Sequence, residues 1–215
     1  MSLYVPAHFA TADRAAVARL VHDHPFATLI TPSLPEPLVT HLPLIHVADC
    51  EPHGTLHGHF ARANPHAAAT AGGESIAIFH GPHAYVSPSW YAEPAAAVPT
   101  WNYAVVHAHG RLELAQSPAE TQAVLDLMIH RFESARPAPW QLGLDRDRLD
   151  AMLRAIVGFR LRIRRIDAKL KLSQNRTRED RSRVAAALAA EPWADAAATA
   201  AWMRAGLDAD PDGTA

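Results

Sequence analysis

Fourteen histidines and a polar run at the end of one strand are the groups in this chain best equipped for chemistry. His57 and His59, and His107 and His109, are spaced by two, so each pair shares one face of its strand. With His80 and His83 they could ligate zinc or another transition metal. No carboxylate or cysteine sits at a familiar ligand spacing, however, and the single cysteine, Cys50, falls in a turn. Hydrogen-bonded histidines lining a polar barrel are the simpler reading, and no metal site is assigned. Nucleophilic catalysis has less support, because there is no G-x-S-x-G and Cys50 has no helix start or basic neighbour to activate it. Neither G-x-x-x-x-G-K-[ST] nor G-x-G-x-x-G occurs, which disfavours P-loop and Rossmann nucleotide sites. No catalytic residue can be named.

The polar run is "KLKLSQNR", Lys169 to Arg176, which starts as an alternating strand and ends in Ser173, Gln174, Asn175 and Arg176. Leu170 and Leu172 are expected on the core face, with Lys169, Lys171 and Ser173 pointing outward. Four other stretches mix donors and aromatics: "THLP", "GHFARANP", "HGPHAYVSPSWY" and "VPTWNYAVVHAHG". A phosphate ester joined to a planar heterocycle needs such a mixture, with charged and amide donors for the phosphate and apolar walls for the ring. Ordinary packing of Trp90, Tyr91, Trp101 and Tyr103 is the competing reading.

The elements that must position these groups are legible in outline. "TADRAAVARLVHDH" reads as a short helix capped by Thr11 and stopped by Pro25. Strands are expected at "FATLIT", "LVTHLPLIHV", "GTLHGHF", "ESIAIFHG", "HAYVS", "TWNYAVVHAHGRLELA" and "GFRLRIRRI", with Pro43 at an edge or a bulge. "NPHAAATA" reads as a short helix capped by Asn64, and "SPAE" opens a longer one capped by Ser117. Another helix is expected over about 146–156, and an Ala-rich helical stretch runs from 177 to about Arg204, divided by Pro192. Such strands, with helices between only some of them, favour a closed or nearly closed antiparallel barrel over a doubly wound parallel sheet.

These five stretches, together with "LYVPAHF" near the start and "GFRLRIRRIDAKLKLSQNR" near the end, resemble the PaiB-type family of FMN-binding negative transcriptional regulators. The resemblance spans roughly residues 3 to 178. It implies an α+β fold that is mainly β: a split antiparallel β-barrel of the FMN-binding type with peripheral helices. The expected organisation is a barrel domain over 1–176, a C-terminal helical extension over 177–205 and a flexible tail over 206–215. The resemblance also implies FMN as cofactor and a homodimer with the flavin at its interface. His41 and Pro43 would then wall the site. His59, Arg62 and Asn64 are phosphate candidates, Trp101, Asn102 and Tyr103 would line the ring or the dimer seam, and Lys171, Ser173, Gln174, Asn175 and Arg176 would supply donors.

Composition bounds the function further. The formal net charge is −2, and ten of the twenty Lys and Arg side chains fall between 160 and 183 against three acids. That basic stretch is the only support for direct DNA binding, since no helix-turn-helix is recognisable. No apolar run is long enough to suggest a membrane span, no secretory signal is evident, and one cysteine fits a reducing cytoplasm. A regulatory FMN-binding protein is the leading reading. A flavin reductase drawing hydride from NAD(P)H is the alternative, and a haem or metal-binding split barrel a further one.

Overall fold

A computed structural model of the chain describes residues 3–11, 13–33, 35–50, 52–68 and 74–209. Among them are seven strands: β1 (Phe26–Thr31), β2 (Leu38–Pro43), β3 (Ile45–Val47), β4 (Thr55–Ala61), β5 (Glu74–Val86), β6 (Thr100–Leu114) and β7 (Ile156–Lys171). They form one sheet in the order β2-β1-β5-β6-β7-β4-β3. The β1–β2, β1–β5, β3–β4 and β4–β7 pairs are antiparallel. The helices are α1 (Arg14–Asp23), α2 (Pro118–Glu133), α3 (Arg146–Ala155), α4 (Arg178–Ala190) and α5 (Ala194–Ala209). Among the described residues no helix is long and apolar enough to cross a membrane.

Local chemistry explains most boundaries. Ser117 Oγ accepts the Glu120 N–H at the start of α2, and Glu120 reaches back to the Gln116 N–H. Asp145 and Thr177 cap α3 and α4 in the same way. At α1 the cap is Asp13 rather than Thr11: Asp13 Oδ1 accepts from Ala15 and Ala16, while the Thr11 hydroxyl accepts from Asp13 itself.

Several boundaries differ from the sequence reading. "LVTHLPLIHV" is two strands, because Pro43 ends β2 at the rim of the sheet, where its missing donor costs no ladder bond. "ESIAIFHG" and "HAYVS" are one strand, since Gly81-Pro82 is accommodated within β5. "NPHAAATA" holds only a single 3-10 turn, Pro65–Ala67, and residues 69–71 lie outside the described ones. Helix α5 continues to Ala209, so 206–209 are helical, and the rest of the expected tail, 210–215, lies outside the described residues.

The chain divides into two compact units. The first comprises Met1–Leu20, His80–Val106 and Asp167–Ala215, and the second Val21–Phe79 and His107–Ile166. This division does not follow the expected boundary after 176. In the first unit α4 and α5 belong to the core: Val184, Leu188, Ala196, Ala200 and Met203 pack with Ala84, Val86, Tyr91 and Leu172. The alanines of α4 and α5 leave room for these larger groups to interdigitate. In the second unit Phe60 stacks on Phe159 at 4.3 Å, and Gly58 is required beside them. A Cβ there would stand 2.8 Å from Leu44 and 2.9 Å from Phe159. Helix α2 covers this core, with Val124 and Met128 against Ile45.

Candidate functional site

The thirteen residues singled out by the sequence fall into two groups, one within each unit. In the first unit, "KLKLSQNR" does not simply run out of strand. Strand β7 ends at Lys171, and Ser173 adopts φ of 66°, a left-handed conformation that costs a non-glycine residue about 1 kcal/mol or more. The turn is held from both sides. The Asn102 amide donates to Ser173 Oγ at 2.9 Å and reaches Met203 Sδ at 3.3 Å. The Gln174 side chain accepts from the Leu172 N–H and donates to the Leu170 carbonyl.

This geometry corrects the expected alternation. Lys169 is buried, Leu170 only half-buried, and Ser173 is turned inward at 3% exposure. Lysine tolerates burial at 169 because its Nζ donates to the Tyr4 carbonyl at 3.1 Å and lies over the rings of Tyr4 and Tyr103. Asn102 is fully buried, so it positions the turn and does not line a ligand surface. Gln174 is likewise committed to the end of the strand. Trp101 is exposed, Tyr103 half-buried and Asn175 exposed.

Three cations remain as the distinctive feature. Lys171 Nζ donates to Thr100 Oγ1 at 2.7 Å and to the Trp101 carbonyl, and lies 5.7 Å from the centre of the Phe9 ring. The Arg176 guanidinium lies 4.7 Å from the centre of the Tyr91 ring. Among the described residues no carboxylate pairs with Lys169, Lys171 or Arg176; their partners are backbone carbonyls, one hydroxyl and aromatic faces. Burial first, then the charges of Lys169 and Arg176, hold the Lys171 ammonium below the usual lysine value. An anion would relieve that repulsion. Two lysines, an arginine and a hydroxyl beside aromatic walls fit a phosphate ester carrying a planar ring. Lys169 and Phe9 were missed as contributors, and Tyr91 was weighed only against ordinary packing; the signal for Lys169 is its two-residue spacing from Lys171, and for Phe9 its membership in "LYVPAHF".

The second unit brings "THLP" and "GHFARANP" together. Asn64 Oδ1 accepts the His66 N–H at 3.0 Å, its amide donates to Thr40 Oγ1, and Thr40 Oγ1 meets His66 Nδ1 at 2.6 Å. His66, fully buried, stacks on Phe60 at 5.2 Å. It was overlooked in the sequence, although it follows the "ARANP" segment directly. Arg62 binds the end of α3, donating to the carbonyls of Arg154 at 2.8 Å and Ile156 at 2.6 Å. Those bonds satisfy helix-end acceptors, a structural task. His41 is exposed and meets Thr28 Oγ1 at 3.1 Å, and Pro43 pairs with Phe26. His59 Nδ1 contacts Met128 Sδ at 3.3 Å, and burial pushes its imidazole below the usual value, as it does for His66.

A chain of hydrogen bonds lies nearby in the same unit. Thr55 donates to Asp49 at 2.8 Å and its oxygen meets His57 Nε2 at 2.7 Å. These histidines are therefore engaged with hydroxyl and sulfur partners. Among the described residues no group of three or more His, Cys, Asp or Glu could hold a metal ion.

Comparison with known proteins identifies the family and the fold. Residues 3–165 match the family described as "Putative FMN-binding domain". The chain is 35% identical over 181 residues to the protease synthase and sporulation protein PAI 2 of Bacillus subtilis, covering 83% of this chain and 85% of that one. Among solved structures, the flavocytochrome Anf3 from Azotobacter vinelandii aligns with a TM-score of 0.60 at 17% identity, covering 78% of this chain and 72% of that chain. The FAD- and haem-binding protein of Mycobacterium smegmatis aligns with a TM-score of 0.57 at 19% identity, covering 75% and 72%. At such identities the two structures establish the fold, the split antiparallel β-barrel expected from the sequence, and nothing about ligands. The match over residues 3–165 and the PAI 2 relationship settle the family: the chain belongs to the FMN-binding split-barrel family, whose cofactor is FMN.

Proposed function

We propose that this protein is a homodimeric FMN-binding regulator in which Lys169, Lys171 and Arg176 hold the phosphate of FMN. The observation that carries the reading is a trio of cations that, among the described residues, has no carboxylate partner and is walled by Phe9, Tyr91 and Tyr103. Thr100 adds a hydroxyl beside Lys171, and the turn at Ser173 fixes where Arg176 leaves the strand. Flavin supplies redox chemistry when bound. The residues of this chain supply charge, orientation and apolar cover for the ring. The regulatory part rests on the name of the PAI 2 relative, which refers to protease synthesis and sporulation.

An indirect route to transcription, through flavin or a metabolite, suits the charge pattern better than direct DNA contact. Within the basic stretch, Arg160 is paired with Glu113 and Arg183 with Glu179. The deciding experiment titrates the purified protein with FMN and follows flavin fluorescence, with light scattering on the same sample. Saturable uptake of one FMN per chain by a dimer is expected. Apoprotein that refuses FMN at micromolar concentrations would overturn the cofactor assignment, and a monomer the dimer. A salt-sensitive, sequence-preferring gel shift would overturn the indirect route.

A further inference from the structure

A cavity of about 680 Å³ lies in the first unit where the end of β5 and the start of β6 meet the α4–α5 connection. We infer that this groove, lined by Tyr85, Trp90, Trp101, Trp193, Glu191 and Asp195, binds an organic ammonium cation with an apolar body. Three of its aromatic rings are unusually open to solvent: Trp193 is 67% exposed, Trp101 53% and Tyr85 44%. Large aromatics left exposed around one cavity mark a binding surface, because each could bury apolar area if a ligand covered it. Leu188 and Ala196, both buried, give the groove an apolar floor.

The charge of the wall decides which ligand. Among the described residues no lysine or arginine lines the groove, whereas Glu191 and Asp195 do. Glu191 Oε2 accepts the Trp193 indole N–H at 3.0 Å, which fixes the carboxylate and the ring relative to each other without neutralising the charge. Asp195 Oδ2 lies 3.8 Å from His83 Nε2, and among the described residues His83 is the one basic group on the wall. His83 and Tyr85 also stand against the Trp101 ring, at 6.3 and 6.2 Å between centres. Aromatic faces carry negative quadrupoles, so rings and carboxylates together favour a cation and repel a phosphate. The groove is thus opposite in sign to the cation cluster of the same unit, and it would admit a quaternary or alkylated amine where FMN phosphate is disfavoured.

The test uses the full chain and choline as probe, followed by calorimetry and tryptophan fluorescence, with the uncharged isostere of choline, in which tert-butyl replaces trimethylammonium, as control. Saturable choline binding is expected, with the isostere at least about tenfold weaker. Glu191→Gln combined with Asp195→Asn, two surface changes, should weaken choline about tenfold, and Trp193→Ala should weaken it further. FMN uptake should be unchanged in these variants, which separates failure here from failure of the flavin reading. Absence of saturable choline binding overturns the inference. So does equal binding of the isostere, or full choline affinity in the carboxylate variant.

Discussion

Strand β7 carries cations along its whole length, and its two halves treat them in opposite ways. In the second unit Arg160 sits 2.8 Å from Glu113, with Arg162 at 4.0 Å from the same carboxylate, on an exposed face. The Glu113 hydrogen bond and charge raise the Arg160 value above its usual range. In the first unit Lys169 and Lys171, with Arg176 beyond the strand end, meet carbonyls and rings, and burial with mutual repulsion depresses Lys171. A cation with its own carboxylate is a surface ion pair of small value. A cluster left without one keeps its field available to a ligand. On the proposed function, the difference separates a basic strand face from an anion-binding cluster at the end of the same strand.

The largest effect that could break this contrast is expected at the first-unit end of β7. Lys171→Ala combined with Arg176→Ala should weaken FMN binding by about a hundredfold or more, since each charge-assisted bond contributes on the order of 1.5–3 kcal/mol. Circular dichroism should show the fold retained, and unchanged affinity would make the cluster a solvated strand end. Next comes Arg62→Ala, which strips two carbonyls at the end of α3 of their donors. A stability loss of about 1–3 kcal/mol is expected in urea melts, with FMN affinity changed less than about threefold. Collapse of FMN affinity at unchanged stability would instead put Arg62 on the phosphate.

Acid should act mainly through the second unit. Burial lowers His57, His59 and His66 below the ordinary value of 6.5, so the unfolded chain binds more protons than the folded one in that window. Stability is then fully present above the unfolded value and falls as pH drops below about 6.5. Thermal melts from pH 8 to 5 should show this, and a flat profile would contradict it. The smallest effect is expected for Arg160→Ala, at about 0–1 kcal/mol of stability and no change in FMN affinity. A marked loss of FMN binding there would erase the difference between the two halves of β7.

Much of the fold was legible because it rests on local signals. Ser117, Asn64 and Pro192 stand where capping and helix breaking require them, and period-two apolar residues mark Phe159, Leu161 and Ile163 as the buried face of β7. The motifs also carried the family and its cofactor. The roles of single site residues were less accessible. Nothing local says that Arg62 will reach the carbonyls of Arg154 and Ile156, more than ninety positions away. Asn102 likewise looked like a ligand residue until Ser173 and Met203 took its amide.

"KLKLSQNR" shows where the line falls. Its sequence alone fixed a basic, donor-rich strand end, because composition and spacing are local properties. Tertiary structure decided which partners each donor meets. Gln174 and Ser173 are consumed by the turn, while Lys171 and Arg176 are set against rings and carbonyls. The physical reason is that a donor's availability depends on which acceptors folding brings to it: Gln174 finds Leu170 close by, but Ser173 and Lys171 meet Asn102, Thr100 and Trp101 about seventy positions away.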